Sequence, residues 1–291
     1  MRSFQQQVKP DTATSTTPSM LQRPSRGVLL RILPPGLYAG RPNVLLERSM
    51  LVYRRSWMII VSGFVEPLFY LLSFGSGLGA LVGGVHAPNG HPLTYAEYIA
   101  PALLASSAMN GAIADSTMNV FFKLKFAKLY DGMLATSLGV VDVALGEIGW
   151  AVVRSGLYAV GFVIVMLAMG LVLSPWALLL IPAALLVGFG FAAIGMALTT
   201  YLRSWQDLQV ITLFTLPMFL FSGTFYGLGA YPAWLRFLVQ CLPLNHAVVA
   251  MRSLAVGDLN LGLLWHLSYF VLMAALGLWA STKRLGKLLL T

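Results

Sequence analysis

The sequence predicts an all-α membrane protein with six transmembrane helices, and three observations carry that prediction. Hydrophobic residues make up 58% of the 291 positions, charged residues only 10%, and the mean hydropathy is +0.78. A water-soluble domain carries about 25% charged residues, so this chain lacks the polar side chains to cover a surface facing water. Six apolar stretches, near 57–80, 97–120, 148–172, 176–200, 208–225 and 260–281, are each close to the roughly 20 residues that cross a hydrocarbon core of about 30 Å. Lys and Arg are distributed one-sidedly about those stretches.

Residues 1–42 are rich in Ser, Thr, Pro and Gln and hold a single acid, Asp11. They show no apolar periodicity and cannot offset their ordering entropy by burial, so a disordered cytoplasmic tail is expected. The segment lacks the apolar core of a secretory signal. Its acid-poor start, with Arg and Ser, leaves an organelle transit peptide as the other reading. From Asn43 to Trp57, Leu46, Met50, Tyr53 and Trp57 recur at helical spacing, while Glu47, Arg48, Arg54 and Arg55 lie elsewhere. This pattern predicts an amphipathic helix at the membrane interface or a cytoplasmic extension of the first span.

Between the third and fourth stretches lie only Leu173, Ser174 and Pro175, a tight hairpin in which Pro175 suits the first turn of the next helix. The basic residues set the orientation. With the N-terminus inside, Arg41, Arg48, Arg54, Arg55, Lys123, Lys125, Lys128, Arg203, Lys283, Arg284 and Lys287 are cytoplasmic. Only Arg236 and Arg252 fall on the other side. Eleven against two places both termini in the cytoplasm. The net charge of +9 is therefore explained by membrane topology, and nucleic acid is not an expected partner.

Three regions carry mechanistic expectations. In the first cytoplasmic loop, Phe122, Phe126, Leu129, Tyr130 and Met133 share one helical face, with Asp131 and the lysines elsewhere. Such a helix either docks into a groove on another protein or lies on the membrane. Between the fifth and sixth spans, one short helix begins at Pro232; a second is capped by Asn245 and stopped by Gly257. Neither is long enough to cross, so both are expected to be re-entrant, with protein covering their backbone ends. Within the spans, Glu66 (followed by Pro67, which kinks its helix), Asp115 and Asn119 are ionisable or amide groups where lipid exposure is costly. Each carboxylate is either paired between helices or lines a pathway or gate. Glu147 and Arg154, two turns apart, read as a structural pair at the membrane boundary. Ala184, Gly188 and Ala192, with Gly190 and Gly195, mark close helix packing in the fourth span.

No G-x-x-x-x-G-K-[ST] loop, G-x-S-x-G or H-E-x-x-H motif occurs, and Cys241 is the one cysteine. The chain therefore shows no catalytic residues and no way to hydrolyse ATP unaided. His86 and His91 in the first outer loop could meet a metal, but two isolated imidazoles in a Gly-Pro loop read as solvated side chains, so no metal site is expected.

The strings EPLFYLLSFGSGLG, YIAPALLASSAMNGAIADST, LKFAKLYDGMLATSLGVVDVALGEI and LPMFLFSGTFYGLGAYPAWLRFLVQCLPLNHAVVAMRSL together span much of residues 43–291. On them the chain resembles the permeases of type-2 ATP-binding-cassette exporters, in the branch related to nodulation-factor and daunorubicin exporters. Ser137 departs from the proline such loops commonly carry after the threonine. The resemblance implies a dimer of six-span permeases embedded in membrane lipids, with a separately encoded nucleotide-binding ATPase subunit holding ATP–Mg. That subunit would dock on residues 43–56 and on the loop carrying Phe126, Leu129, Tyr130, Asp131 and Met133. The re-entrant helices, with Asn245 and His246, would form the outer gate, and Glu66, Asp115 and Asn119 would belong to the path or gate. The implied cargo is an amphiphile: a lipid-linked saccharide, a glycolipid or a hydrophobic drug. Two other classes remain open, an ion-coupled transporter using Glu66 and Asp115 and a membrane-embedded transferase.

Overall fold

The computed structural model describes residues 42–289 apart from 56, 83–84, 87–91 and 137. The expected tail, Pro42 excepted, lies outside the described residues, as does Ser137. Helix α1 (Pro42–Arg55) is followed by α2 (Trp57–Ser73), which contains Pro67 and runs through a π turn, Phe74–Leu78, into α3 (Gly79–Val82). A two-residue ribbon follows, with β1 (Val85–His86) antiparallel to β2 (Pro92–Leu93) and Val85 opposite Leu93. Helix α4 (Tyr95–Ala114) starts at a capping box. There the Glu97 amide donates to Thr94 Oγ1 at 3.3 Å and the Thr94 amide donates to Glu97 Oε2 at 2.7 Å, which satisfies two otherwise orphaned donors.

Two π turns, Asp115–Asn119 and Phe122–Phe126, extend α4 towards the loop helix α5 (Leu129–Leu134). Helix α6 (Val140–Ala168) returns, and a 3₁₀ turn with Pro175 in its first position leads into α7 (Leu180–Thr199), as the hairpin sequence predicts. Then come α8 (Leu208–Phe221), α9 (Ala233–Gln240), α10 (Pro243–Val256) and α11 (Leu261–Leu289). Each of the six apolar stretches falls on helix, with shifted ends. Among the described residues, three helical segments are long and apolar enough to cross a membrane: Val140–Ala168, Pro175–Thr199 and Leu261–Leu289. The 14 residues of α8 rise only about 21 Å, because each helical residue adds about 1.5 Å.

Helix α7 is the centre of the bundle and packs against α11, α6 and α4. In lipid there is no hydrophobic gain from bringing two helices together, so close van der Waals approach and interhelical hydrogen bonds have to hold them. The small residues expected to mark contacts do so. Gly188 sits on Ser155 of α6, where an added Cβ would lie 2.7 Å from the serine Cβ. Gly277 of α11 lies against the backbone of α7, where a Cβ would stand 2.6 Å from the Ala193 carbonyl carbon. Ser155 Oγ donates to the Ala108 carbonyl at 3.1 Å, and Thr199 Oγ1 to the Ser116 carbonyl at 3.0 Å, so α4 is tied to both neighbours.

The periphery is apolar too. Val153, Leu157, Val160, Ile164 and Leu167 form an exposed stripe on α6, an outer surface suited to lipid. Helix α8 stands apart: Leu208 is its one buried residue, and its main packing is on the Trp205–Asp207 turn before it.

Replacing Gly277 with valine forces side-chain atoms into the α7 backbone and should destabilise the protein by about 1–3 kcal/mol or more. Gly286→Ala, where a Cβ meets nothing within 4 Å, should be neutral or mildly stabilising. Thermal unfolding of the two variants in the same detergent makes the comparison, and equal melting temperatures would contradict the packing.

Candidate functional site

The π turn at Asp115–Asn119 is built from Asp, Ser, Thr, Met and Asn, and its hydroxyls compete with backbone amides for helical carbonyls. Thr117 Oγ1 donates to the Ile113 carbonyl at 2.6 Å. The widened turn lies on the seam with α6. There Arg154 Nη1 donates to Asp115 Oδ1 at 2.6 Å, and Arg154 Nε donates to the Tyr158 hydroxyl at 2.7 Å. Asp115 and Arg154 are both buried. Two turns further along the seam, Lys123 Nζ meets Glu147 Oε2 at 2.7 Å. Going down α4 the charges run acid then base, and along the facing α6 they run acid then base in the opposite direction. An antiparallel helix pair in one register satisfies both.

Glu147 and Arg154 are therefore not a pair with each other. Seven residues separate them, about 10.5 Å along the helix axis, whereas α4 brings a partner of opposite sign to within 3 Å of each. The same geometry distinguishes the two carboxylates singled out in the spans. Asp115 is neutralised by Arg154. Glu66 is exposed on α2, accepting a long bond of 3.4 Å from Tyr70 four residues on. It opens onto a groove of about 350 Å³ that it shares with Asn110, Thr117, Gln209, Thr212 and Trp205. Asn119 is half-buried, and its amide nitrogen makes no hydrogen bond.

The loop does not present one continuous helical face. Lys128 adopts a left-handed conformation (φ 43°), which ends the π turn carrying Phe126 and restarts the chain as α5. Tyr130 and Met133 are buried and Leu129 half-buried, while Phe126 and Asp131 are exposed. Tyr130 lies beneath the loop next to Glu147. Burial first, and then the Glu147 carboxylate, pushes its phenol well above the ordinary value, so it stays protonated. Phe126 belongs to an aromatic group with Phe121 and Phe122, at centroid distances of 6.1 and 5.7 Å, and with Trp205 at 6.4 Å. Trp205 escaped the sequence reading because it sits in a short polar turn with no periodicity. Asp207 holds that turn: backbone amides of Ser204 and Arg203, then the Ser204 hydroxyl, keep its carboxyl below the usual carboxylate range.

At the other end, α9 starts after Pro232 and α10 stops at Gly257 in the left-handed conformation, both as read from the sequence. Asn245, however, does not cap α10. Pro243 takes the first helical position, which suits a residue without an N–H. Asn245 instead reaches across, its Nδ2 donating to the Ser222 carbonyl at the end of α8 at 3.0 Å. Arg252 adds a second clamp that sequence spacing had not shown. Its Nε donates to the Tyr98 carbonyl at 3.0 Å and its Nη2 to the Thr224 carbonyl at 2.9 Å, with the guanidinium 3.6 Å above the Tyr98 ring. His246 is half-buried and faces His266 of α11. Among the described residues, no group of three or more His, Cys, Asp or Glu side chains is gathered for a metal.

Comparison with known proteins adds a family. Residues 43–256, from α1 through the end of α10, match the model of a family described as ABC-2 type transporter. The chain is 29% identical over 250 residues to nodulation protein J of Sinorhizobium fredii, covering 82% of this chain and 93% of that protein. It is 27% identical over 248 residues to nodulation protein J of Rhizobium leguminosarum bv. trifolii, covering 84% and 92%. It is 24% identical over 219 residues to the inner membrane transport permease YadH of Escherichia coli, covering 72% and 81%.

Arg154→Met leaves the Asp115 carboxylate buried without its countercharge and should cost about 3–5 kcal/mol. The double replacement Asp115→Leu with Arg154→Met removes both charges and should recover most of that loss. Denaturant unfolding in detergent reads both; a double variant as unstable as Arg154→Met would show that the pair is not what matters.

Proposed function

The chain belongs to the ABC-2 type transporter family, and on that premise we propose that it is the membrane-spanning permease subunit of an ATP-driven exporter. Members of this family are membrane transport subunits whose ATPase is a separate subunit, and the bacterial relative YadH is an inner-membrane permease. The observation that carries the proposal is the extent of the family match, which runs unbroken from α1 to the end of α10.

In the finer reading, the permease has six spans, both termini are cytoplasmic and two copies assemble. Helices α9 and α10 are re-entrant at the outer side. ATP–Mg is held by the partner subunit, and the cargo is an amphiphile such as a lipid-linked saccharide, a glycolipid or a hydrophobic drug. The loop between α4 and α6 is the coupling element. Phe126 and Asp131, its exposed members, meet the ATPase; Tyr130 and Met133, buried beneath, seat α5 on α6. A push on α5 is passed to α4 and α6 together, because the Lys123–Glu147 and Asp115–Arg154 pairs lock those helices in register. The elements free to respond are α2, whose hydrogen-bond ladder Pro67 interrupts, and the loosely packed α8. The groove holding Glu66 lies between α2, α4 and α8, where such a movement would open or close a path. An ion-coupled mechanism would use Glu66 and Asp115 as proton or cation sites, and the charge of Asp115 is already matched by Arg154.

Combining Phe126→Ala with Asp131→Ala should abolish ATP-driven export by the permease co-reconstituted with its ATPase. Asp131 is exposed and Phe126 gives up only its ring contacts with Phe121, Phe122 and Trp205, so membrane insertion should be unchanged and the melting temperature should fall only slightly. Undiminished export by that variant rules out the loop as the coupling element.

A further inference from the structure

A pair of histidines, of which the transport reading uses only His246 as part of the outer gate, joins α10 to α11. His246, in the first turn of α10, and His266, in the second turn of α11, face each other Nδ1 to Nδ1 at 2.7 Å. The ring of His246 stacks on Tyr269, with centroids 4.4 Å apart and 21° between the planes, and meets the Gln240 backbone carbonyl. Both imidazoles line an open cavity of about 630 Å³, together with Gln240, Cys241, Asn245 and Trp265. No carboxylate, Lys or Arg is among its lining residues, and the other titratable groups facing it are the Cys241 thiol and the Tyr269 phenol.

The separation identifies the interaction. Two imidazoles on one tetrahedral zinc, at about 2.0–2.1 Å each, stand about 3.3 Å apart, so 2.7 Å is a hydrogen bond and not a chelate. One proton lies between the facing nitrogens. The pair therefore holds together when neutral or singly protonated. Once doubly protonated, both rings are donors, the bond is lost and two like charges face each other.

We infer that His246 and His266 form a proton-operated latch that releases α10 from α11 when the solution on their side of the membrane is acidified. What the latch restrains is visible next to it. Asn245, adjacent to His246, clasps the Ser222 carbonyl where α8 ends. Arg252, further along α10, clasps the Thr224 and Tyr98 carbonyls. A shift of the first turn of α10 is thus handed directly to the end of α8. An unperturbed imidazole titrates near pH 6.5, and in a coupled pair the two macroscopic steps belong to both rings. The latch is closed at neutral pH and opens as the second proton loads, which the charge of the first opposes, so release comes on the acid side of a lone imidazole's ordinary value. This goes beyond the transport reading and draws on it only for which solution supplies the proton.

Cys241, the one cysteine of the chain and exposed, provides the probe. An environment-sensitive thiol-reactive fluorophore is attached there on the full chain in lipid nanodiscs, and its emission is followed from pH 8 to 4.5. The native chain should show a sigmoidal change with its midpoint below about pH 6.5, the value of a free imidazole. His246→Gln and His266→Gln keep a hydrogen-bonding group that does not titrate, and each should flatten the curve. A flat native titration, or the same transition in both variants, overturns the latch. No ATPase or cargo is involved, so that result would leave the permease assignment standing.

Discussion

Two ion pairs across one helix seam organise the molecule. Asp115–Arg154 and Lys123–Glu147 join α4 to α6 at two levels, and their alternating signs admit a single antiparallel register. A slip of one helical turn would bring none of the four charges opposite its partner. In a low-dielectric interior such a slip is costly, because each charge left alone loses its solvation without compensation. The seam is therefore a stiff lever. Its lower end carries the loop helix α5, seated by the buried Tyr130, and its flank carries α7 through Ser155 and Gly188.

Stiffness is unevenly distributed around that lever. Helices α4, α6, α7 and α11 meet through small residues and interhelical hydrogen bonds, a mode of packing that works without a hydrophobic driving force. Helix α8 has one buried residue, and α2 contains a proline. The groove that exposes Glu66 is walled by the sparsely packed α8, by α2 with its proline and by α4. A transporter needs such a combination, since a coupling event does work only if some element has a second arrangement available. Helix α10 governs the far end of α8 through side chains that capture carbonyls, and it is in turn held by a histidine pair whose strength depends on protonation.

Much of this was legible residue by residue. The apolar stretches, the proline opening the 175 turn, the glycine closing α10, and the small residues of α7 are local signals with local causes, and each appears where the sequence puts it. The readings that changed concerned partners and the continuity of one helix. Arg154 and Glu147 looked like a pair because they share a helix. The continuous amphipathic face from Phe122 to Met133 assumed an unbroken α-helix, but π turns and a left-handed Lys128 divide it. Asn245 has the chemistry of a cap, yet Pro243 starts the helix two residues earlier and frees its amide for α8.

Composition, hydropathy and charge asymmetry determine from the sequence alone that this chain is a helical membrane protein, because those properties depend on how each segment partitions between water and lipid. Periodicity adds where the helices run. Which carboxylate is neutralised and which faces an open groove is decided only in three dimensions. Glu66 and Asp115 are equally out of place in an apolar segment, and the difference between them is a guanidinium contributed by a helix 39 residues away. The same holds for the two imidazoles, 20 residues apart, that meet across α10 and α11. A hydrogen bond or a contact ion pair needs its partners within about 3–4 Å, and only the packed bundle sets which groups come that close.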